Sequence, residues 1–75
     1  MIKSGQIYRT QGTRTTVLVT AVGNDDFFVI FPDGSSARYD IRFARVFQEN
    51  TTLLVQHPSW QEAVNSPEFN GSILQ

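Results

Sequence analysis

The sequence has no cysteine, so no disulfide can brace it and no thiolate can act as nucleophile or metal ligand. It has one histidine, His57, with no carboxylate at ligand spacing. Zinc asks for three or four protein ligands, so His57 is read as a structural or surface residue, and no metal or cofactor is expected. Nowhere do about 18 apolar residues follow one another, and residues 1–5 hold no hydrophobic run. Neither a membrane span nor a secretory signal is expected, and the expected location is the cytoplasm. No G-x-S-x-G elbow and no Walker-type glycine loop occurs, so no enzymatic activity is expected and no catalytic residue is assigned. An excess of charge is missing too: six Lys and Arg stand against seven Asp and Glu, for a net charge of −1. That balance argues against a strongly basic nucleic-acid binder and equally against an acidic mimic of DNA. Residues 46–75 lack Lys and Arg altogether and carry Glu49, Glu62 and Glu68, whereas residues 1–45 hold all six Lys and Arg and four aspartates.

With 75 residues there is room for one domain, and a domain of this size has a thin core. The chain is organised around residues 15–39. Residues 16–22 and 27–31 are dense in β-branched and aromatic side chains, which suit a pleated surface, so both are read as strands. Between them Gly23, Asn24, Asp25 and Asp26 permit a cheap reversal. After Phe31, Pro32 presets φ for the first turn position, Asp33 suits the second, and Gly34 takes a left-handed position that closes a hairpin loop. Residues 36–39 return as the next strand. In residues 27–31, Phe27, Val29 and Phe31 point one way and Phe28 and Ile30 the other, which predicts burial on both sides. In so short a chain the economical solution is a meander curled into a small barrel, with terminal segments over its outside.

Upstream, residues 5–10 read as a short first strand and residues 11–14 as a polar link that closes a hairpin or opens as a longer loop. Downstream, residues 40–44 read as a single helical or 3₁₀ turn capped by Asp40, followed by a short strand at residues 45–48 and another at 52–56. Ser59 and Glu62 match a capping box, so a short helix is expected from Trp60 to about Asn65, with Trp60 and Val64 as its apolar stripe and Pro67 ending it. The domain is thus a barrel over about residues 5–56, a helix over about 59–65 and a tail, 66–75, that either packs through Phe69, Ile73 and Leu74 or is flexible.

Two surfaces are candidates for function. Tyr8, Tyr39 and Trp60 are amphipathic rings of the kind that anchor protein interfaces, and a protein partner or self-association through an edge strand and these rings is the leading expectation. Arg38, Arg42 and Arg45, interleaved with Tyr39 and Phe43, form the one basic-aromatic cluster, which makes a weak nucleic-acid binder the alternative. Phe43 itself is read as core, and Asp33 and Asp40 lie close enough in sequence to offset part of the field.

The order Gly5-Gln6-x-Tyr8-Arg9, Val17-x-Val19-x-x-Val22, Val29-x-Phe31 ahead of Asp33-Gly34, and the Ile41 to Phe43 region resembles SH3-like (Tudor-like) small barrels, and among them short prophage-encoded bacterial proteins. The resemblance spans about residues 5–48, and no residue of known function carries over with it. It implies a mainly β fold of about five strands and a binding module, since such barrels hold peptides, modified side chains, nucleic acid or other subunits between their loops. The segment from Thr51 onward departs from a minimal barrel.

Overall fold

The computed structural model describes residues 1–70. Five antiparallel strands, β1 (Gln6–Thr10), β2 (Thr16–Val22), β3 (Asp26–Ile30), β4 (Ser36–Asp40) and β5 (Thr51–Gln56), form one sheet in the order β4-β3-β2-β1-β5. A 3₁₀ turn at Ile41–Phe43 runs straight into α1 (Ala44–Glu49), and α2 (Trp60–Val64) and α3 (Pro67–Asn70) follow β5. The expected mainly β class stands, whereas the expected closed barrel does not, because β4 and β5 are the two open edges of the sheet. The segment 45–48, read as a strand, is helical. Phe43 and Phe47 sit one helical turn apart, and the turn carries the Phe47 ring into the core. A helix there cannot supply the ladder that would join the edges.

Each turn has a local cause. Gly34 sits at φ 92°, its N–H donates to the Phe31 carbonyl, and Phe31 N–H donates to Ser35, closing the loop that Pro32-Asp33-Gly34 predicts. Asp40 caps the 3₁₀ turn by accepting from the Arg42 N–H at 2.8 Å. Ser59 Oγ accepts from the Glu62 N–H at 3.3 Å, which starts α2. Pro67 does more than end α2: with no N–H to satisfy, it opens α3, whose Phe69 is buried. The tail thus packs as far as Asn70, while Ile73 and Leu74 lie outside the described residues.

The sheet is buried from both sides by different elements. On one face Tyr8, Val17, Val19, Phe27 and Val29 pack with Phe47 of α1 and with Ile2, and Phe31, Ala37, Tyr39, Ile41 and Ala44 surround them. On the other, Ile7 and Leu18 pack with Ala63 of α2 and Phe69 of α3, flanked by Ile30, Val55 and Val64. Residue pairing across the ladder explains the sorting: Tyr8 opposite Val17, Val19 opposite Val29, and Phe27 opposite Tyr39 share the first face, whereas Ile7 opposite Leu18 and Leu18 opposite Ile30 share the second. Burial on both sides, expected of β3, belongs most fully to β2, where Val17, Leu18 and Val19 are all enclosed. On β3 Phe28 is 38% exposed, because α2 and α3 lie against β1 and β2 and stop short of it. In α2 Ala63 is buried and Val64 packs half-buried against the same cluster, whereas Trp60 is 37% exposed, so of the expected Trp60–Val64 stripe only Val64 helps seat the helix. Two irregularities bend the strands, at Thr20 of β2 and at Leu54 of β5, each adding a residue opposite a continuous partner.

Candidate functional site

Six aromatic contacts run through the first face toward one end of the molecule. Tyr8 meets Phe47 edge-on at 5.1 Å between ring centroids, Phe27 meets Phe47 at 5.6 Å and Tyr39 at 5.4 Å, and Tyr39 meets Phe43 at 5.1 Å. The series starts fully buried and ends in solvent: Phe27 is enclosed, Tyr39 half-buried and Phe43 40% exposed. Phe43 was expected in the core and is instead at its edge, since the 3₁₀ turn places it one turn ahead of the buried Phe47. Where the series surfaces there is a cleft of about 510 Å³, lined by Val17, Phe31, Tyr39, Phe43 and Phe47 and by the polar Thr10, Gln11, Thr13, Asn50 and Thr51 together with Gly12. Among the described residues no carboxylate, amine, guanidinium or imidazole lines it.

The loop between β1 and β2 forms one side of this cleft and is held in shape by its own threonines. Thr10 N–H donates to the Thr15 carbonyl at 2.9 Å, Thr15 N–H donates to Thr10 Oγ1 at 2.8 Å, and the hydroxyls of Thr10, Thr13 and Thr15 form a chain at 2.8 and 2.9 Å. The polar link at residues 11–14 therefore closes as a hairpin. Gln11 N–H reaches the Asn50 carbonyl, which ties the loop to the junction of α1 and β5.

The three expected partner-binding rings do not come together. Tyr8 is buried: its hydroxyl donates to Gln6 Oε1 at 2.7 Å and accepts from Gln48 Nε2 at 3.0 Å. Gln6 is itself satisfied by the Lys3 N–H, the Met1 carbonyl and Gln56. A ring whose polar tip is already paired inside belongs to the core, and Tyr8 offers no exposed surface. Tyr39 lines the cleft, and Trp60 lies on α2 across the sheet from it.

The three expected arginines are all exposed, and each has a carboxylate beside it. Arg38 lies 3.6 Å from Asp26, Arg42 binds Asp40 through both Nε and Nη2 at 3.0 Å, and Arg45 lies 3.7 Å from Glu49 one turn along α1. The Arg42 side chain and N–H hold the Asp40 carboxyl down to about 2, and Asp40 in turn raises Arg42. These pairs also offset a repulsion, since Asp26 and Asp40 face each other across β3 and β4. Asp33 is held below its usual range by the Ser35 hydroxyl and N–H, as a turn residue would be. His57 lies between β5 and α2, where its N–H donates to Gly5 and its Nε2 stands 3.7 Å from Glu68.

Sequence reasoning missed Phe31, Phe43 and Phe47 as cleft residues, although the i, i+4 spacing of the last two was the available signal. It also passed over Arg9 and Arg14, which line a second hollow beside the cleft. No described helix is long and apolar enough to cross a membrane. Compared with models of known protein families, with curated proteins and with solved structures, the chain matches none.

Proposed function

We propose that this protein is a non-enzymatic interaction module that seats an apolar side chain of a protein partner in the cleft between Phe31, Tyr39 and Phe43. The observation that carries this reading is the aromatic series itself, which continues from the core into solvent and ends in a hollow with polar groups around it. Anchor pockets at protein interfaces have that make: a ring-lined floor that desolvates one side chain and a margin that fixes backbone hydrogen bonds. The return of β5 to β1 also supports reading the sheet as an SH3-like barrel left open between β4 and β5. A prophage origin and a cytoplasmic location remain expectations drawn from the sequence. The nucleic-acid alternative draws on Arg38, Arg42 and Arg45, and the carboxylates beside all three weaken the field it needs.

Selection of a displayed random-peptide library on the protein tests the reading. Enriched peptides should share an apolar residue and bind the Phe43→Ala protein at least about ten-fold more weakly. Peptides that bind both proteins equally would remove the cleft from the account. Self-association is the second reading, favoured by one observation: Leu53 and Leu54 are exposed on β5, a strand at the edge of the sheet. Sedimentation at rising concentration should then show a dimer that Leu53→Lys abolishes, and a monomer throughout would discard it.

A further inference from the structure

Two of the five arginines stand apart from the other three. Arg9 and Arg14 have no carboxylate within 4.0 Å among the described residues, whereas Arg38, Arg42 and Arg45 each have one. Both line a hollow of about 420 Å³ with Thr10, Gln11, Thr52 and Leu54, and among the described residues no acidic side chain lines it. Arg9 is half-buried on β1 between Thr16 and Thr52, and its Nε is buried with no hydrogen-bond partner among the described residues. A charged donor in that position is costly until an acceptor reaches it. Arg14 holds φ at 59°, and among the described residues it is the one non-glycine at positive φ. The threonine-braced turn brings it to the same hollow despite that strain. Two guanidinium groups at one hollow repel each other, and an oxyanion bound there would reverse the sign of the local energy; their planar forks match carboxylate or phosphate oxygens.

The hollow adjoins the aromatic cleft, because Thr10 and Gln11 line both. A third hollow shares Arg14 and contains Asp33, but the Asp33 carboxylate already accepts from Ser35 N–H and Oγ. We infer that Arg9 and Arg14 bind an oxyanion, and that it is a carboxylate of the partner segment whose apolar residue enters the cleft. The second half of this inference rests on the reading of the cleft given above. A carboxylate on a peptide fits better than a nucleic-acid backbone, since the two guanidinium groups with no carboxylate beside them among the described residues make a point site, and the other three arginines, each beside its own carboxylate, do not extend it into a track.

The test is an NMR titration of the ¹⁵N-labelled protein at fixed ionic strength with inorganic phosphate, N-acetyl-leucine, N-acetyl-leucinamide and a short single-stranded DNA. Phosphate and N-acetyl-leucine should move the Nε–H resonances of Arg9 and Arg14 saturably and leave those of Arg38, Arg42 and Arg45 in place. N-acetyl-leucine should also move Tyr39 and Phe43 and bind at least about ten-fold more tightly than phosphate, an advantage that the neutral amide loses. Arg14→Asn removes the guanidinium while suiting a left-handed backbone, so the protein should remain folded and lose about ten-fold or more in affinity for both anions. Shifts that never saturate, shifts shared by all five arginines, or an Arg14→Asn protein that binds as the parent does would overturn the anion site. Saturation at Arg9 and Arg14 with Tyr39 and Phe43 unmoved would overturn the shared ligand alone, and peptide selection on the cleft would then stand or fall by itself. DNA binding at these two arginines more tightly than N-acetyl-leucine would overturn the assignment to a peptide carboxylate.

Discussion

On the face of the sheet under α2 and α3 the buried strand side chains, Ile7 and Leu18, are aliphatic and are shut in over β1 and β2 by Ala63 and by one ring, Phe69. The face under α1 is aromatic, and its cover stops at Tyr39 and Phe43, where the cleft begins. The contrast separates two tasks that a small domain must share among few residues. Aliphatic side chains sealed by short helices hold the sheet together, while rings that continue past the edge of the cover leave recognition surface attached to a rigid core.

The largest expected effect breaks or keeps that contrast. Phe27→Ala should cost about 3 to 5 kcal/mol in denaturant unfolding, as for a fully enclosed ring, whereas Phe43→Ala, truncating a ring at the surface end of the same series, should cost only about 1 kcal/mol. Equal costs would mean the cleft is part of the core. On the sealed face, Phe69→Ala should cost about 3 kcal/mol, because α3 is a single turn that only packing can hold. A loss under about 1 kcal/mol would show that α3 does not seal anything. Two glycines compare the ends of the molecule. Gly5 sits at φ 94° with the His57 carbonyl where a Cβ would go, so Gly5→Ala combines strain with a backbone clash and should cost about 2 kcal/mol or more. Gly34 sits at φ 92° in open space, so Gly34→Val should cost about 1 kcal/mol from strain alone. The smallest effect is electrostatic. The Asp40 carboxyl titrates at about 2 when folded against an ordinary 3.8. The unfolded chain therefore takes up the proton first as pH falls, and the stabilisation present above 3.8 disappears as pH drops through about 2. Thermal unfolding should show a shallower loss across that window in Asp40→Asn, and identical pH profiles would place the Arg42–Asp40 pair outside the stability of the fold.

Much of the fold was legible because its causes are local. The β-branched run of β2, the Pro32-Asp33-Gly34 loop, the Asp40 cap and the Ser59 cap each act within a few residues, and all four appear where the residues predict them. The errors have non-local causes. Residues 45–48 satisfy either a strand or a helical pattern, and only the place of Phe47 among Tyr8, Phe27 and Tyr39 decides for the helix. Tyr8 looks like a surface ring until Gln6 and Gln48, the latter 40 residues away, pair its hydroxyl. The left-handed backbone of Arg14 and the isolation of Arg9 arise from the loop's hydroxyl chain and from the strands flanking β1, which no residue pattern records. Of the three rings read as partner-binding, Tyr39 alone lines the cleft, and Phe43 of the basic-aromatic cluster lines it beside Tyr39.

Chemical-shift mapping with the tightest peptide from library selection tests the central claim most directly. Perturbations should concentrate at Phe31, Tyr39, Phe43 and the loop at residues 11–15, with α2 and α3 unmoved. Perturbations centred on α2 and α3, or on the β5 edge at Leu53 and Leu54, with the aromatic cleft silent, would contradict it.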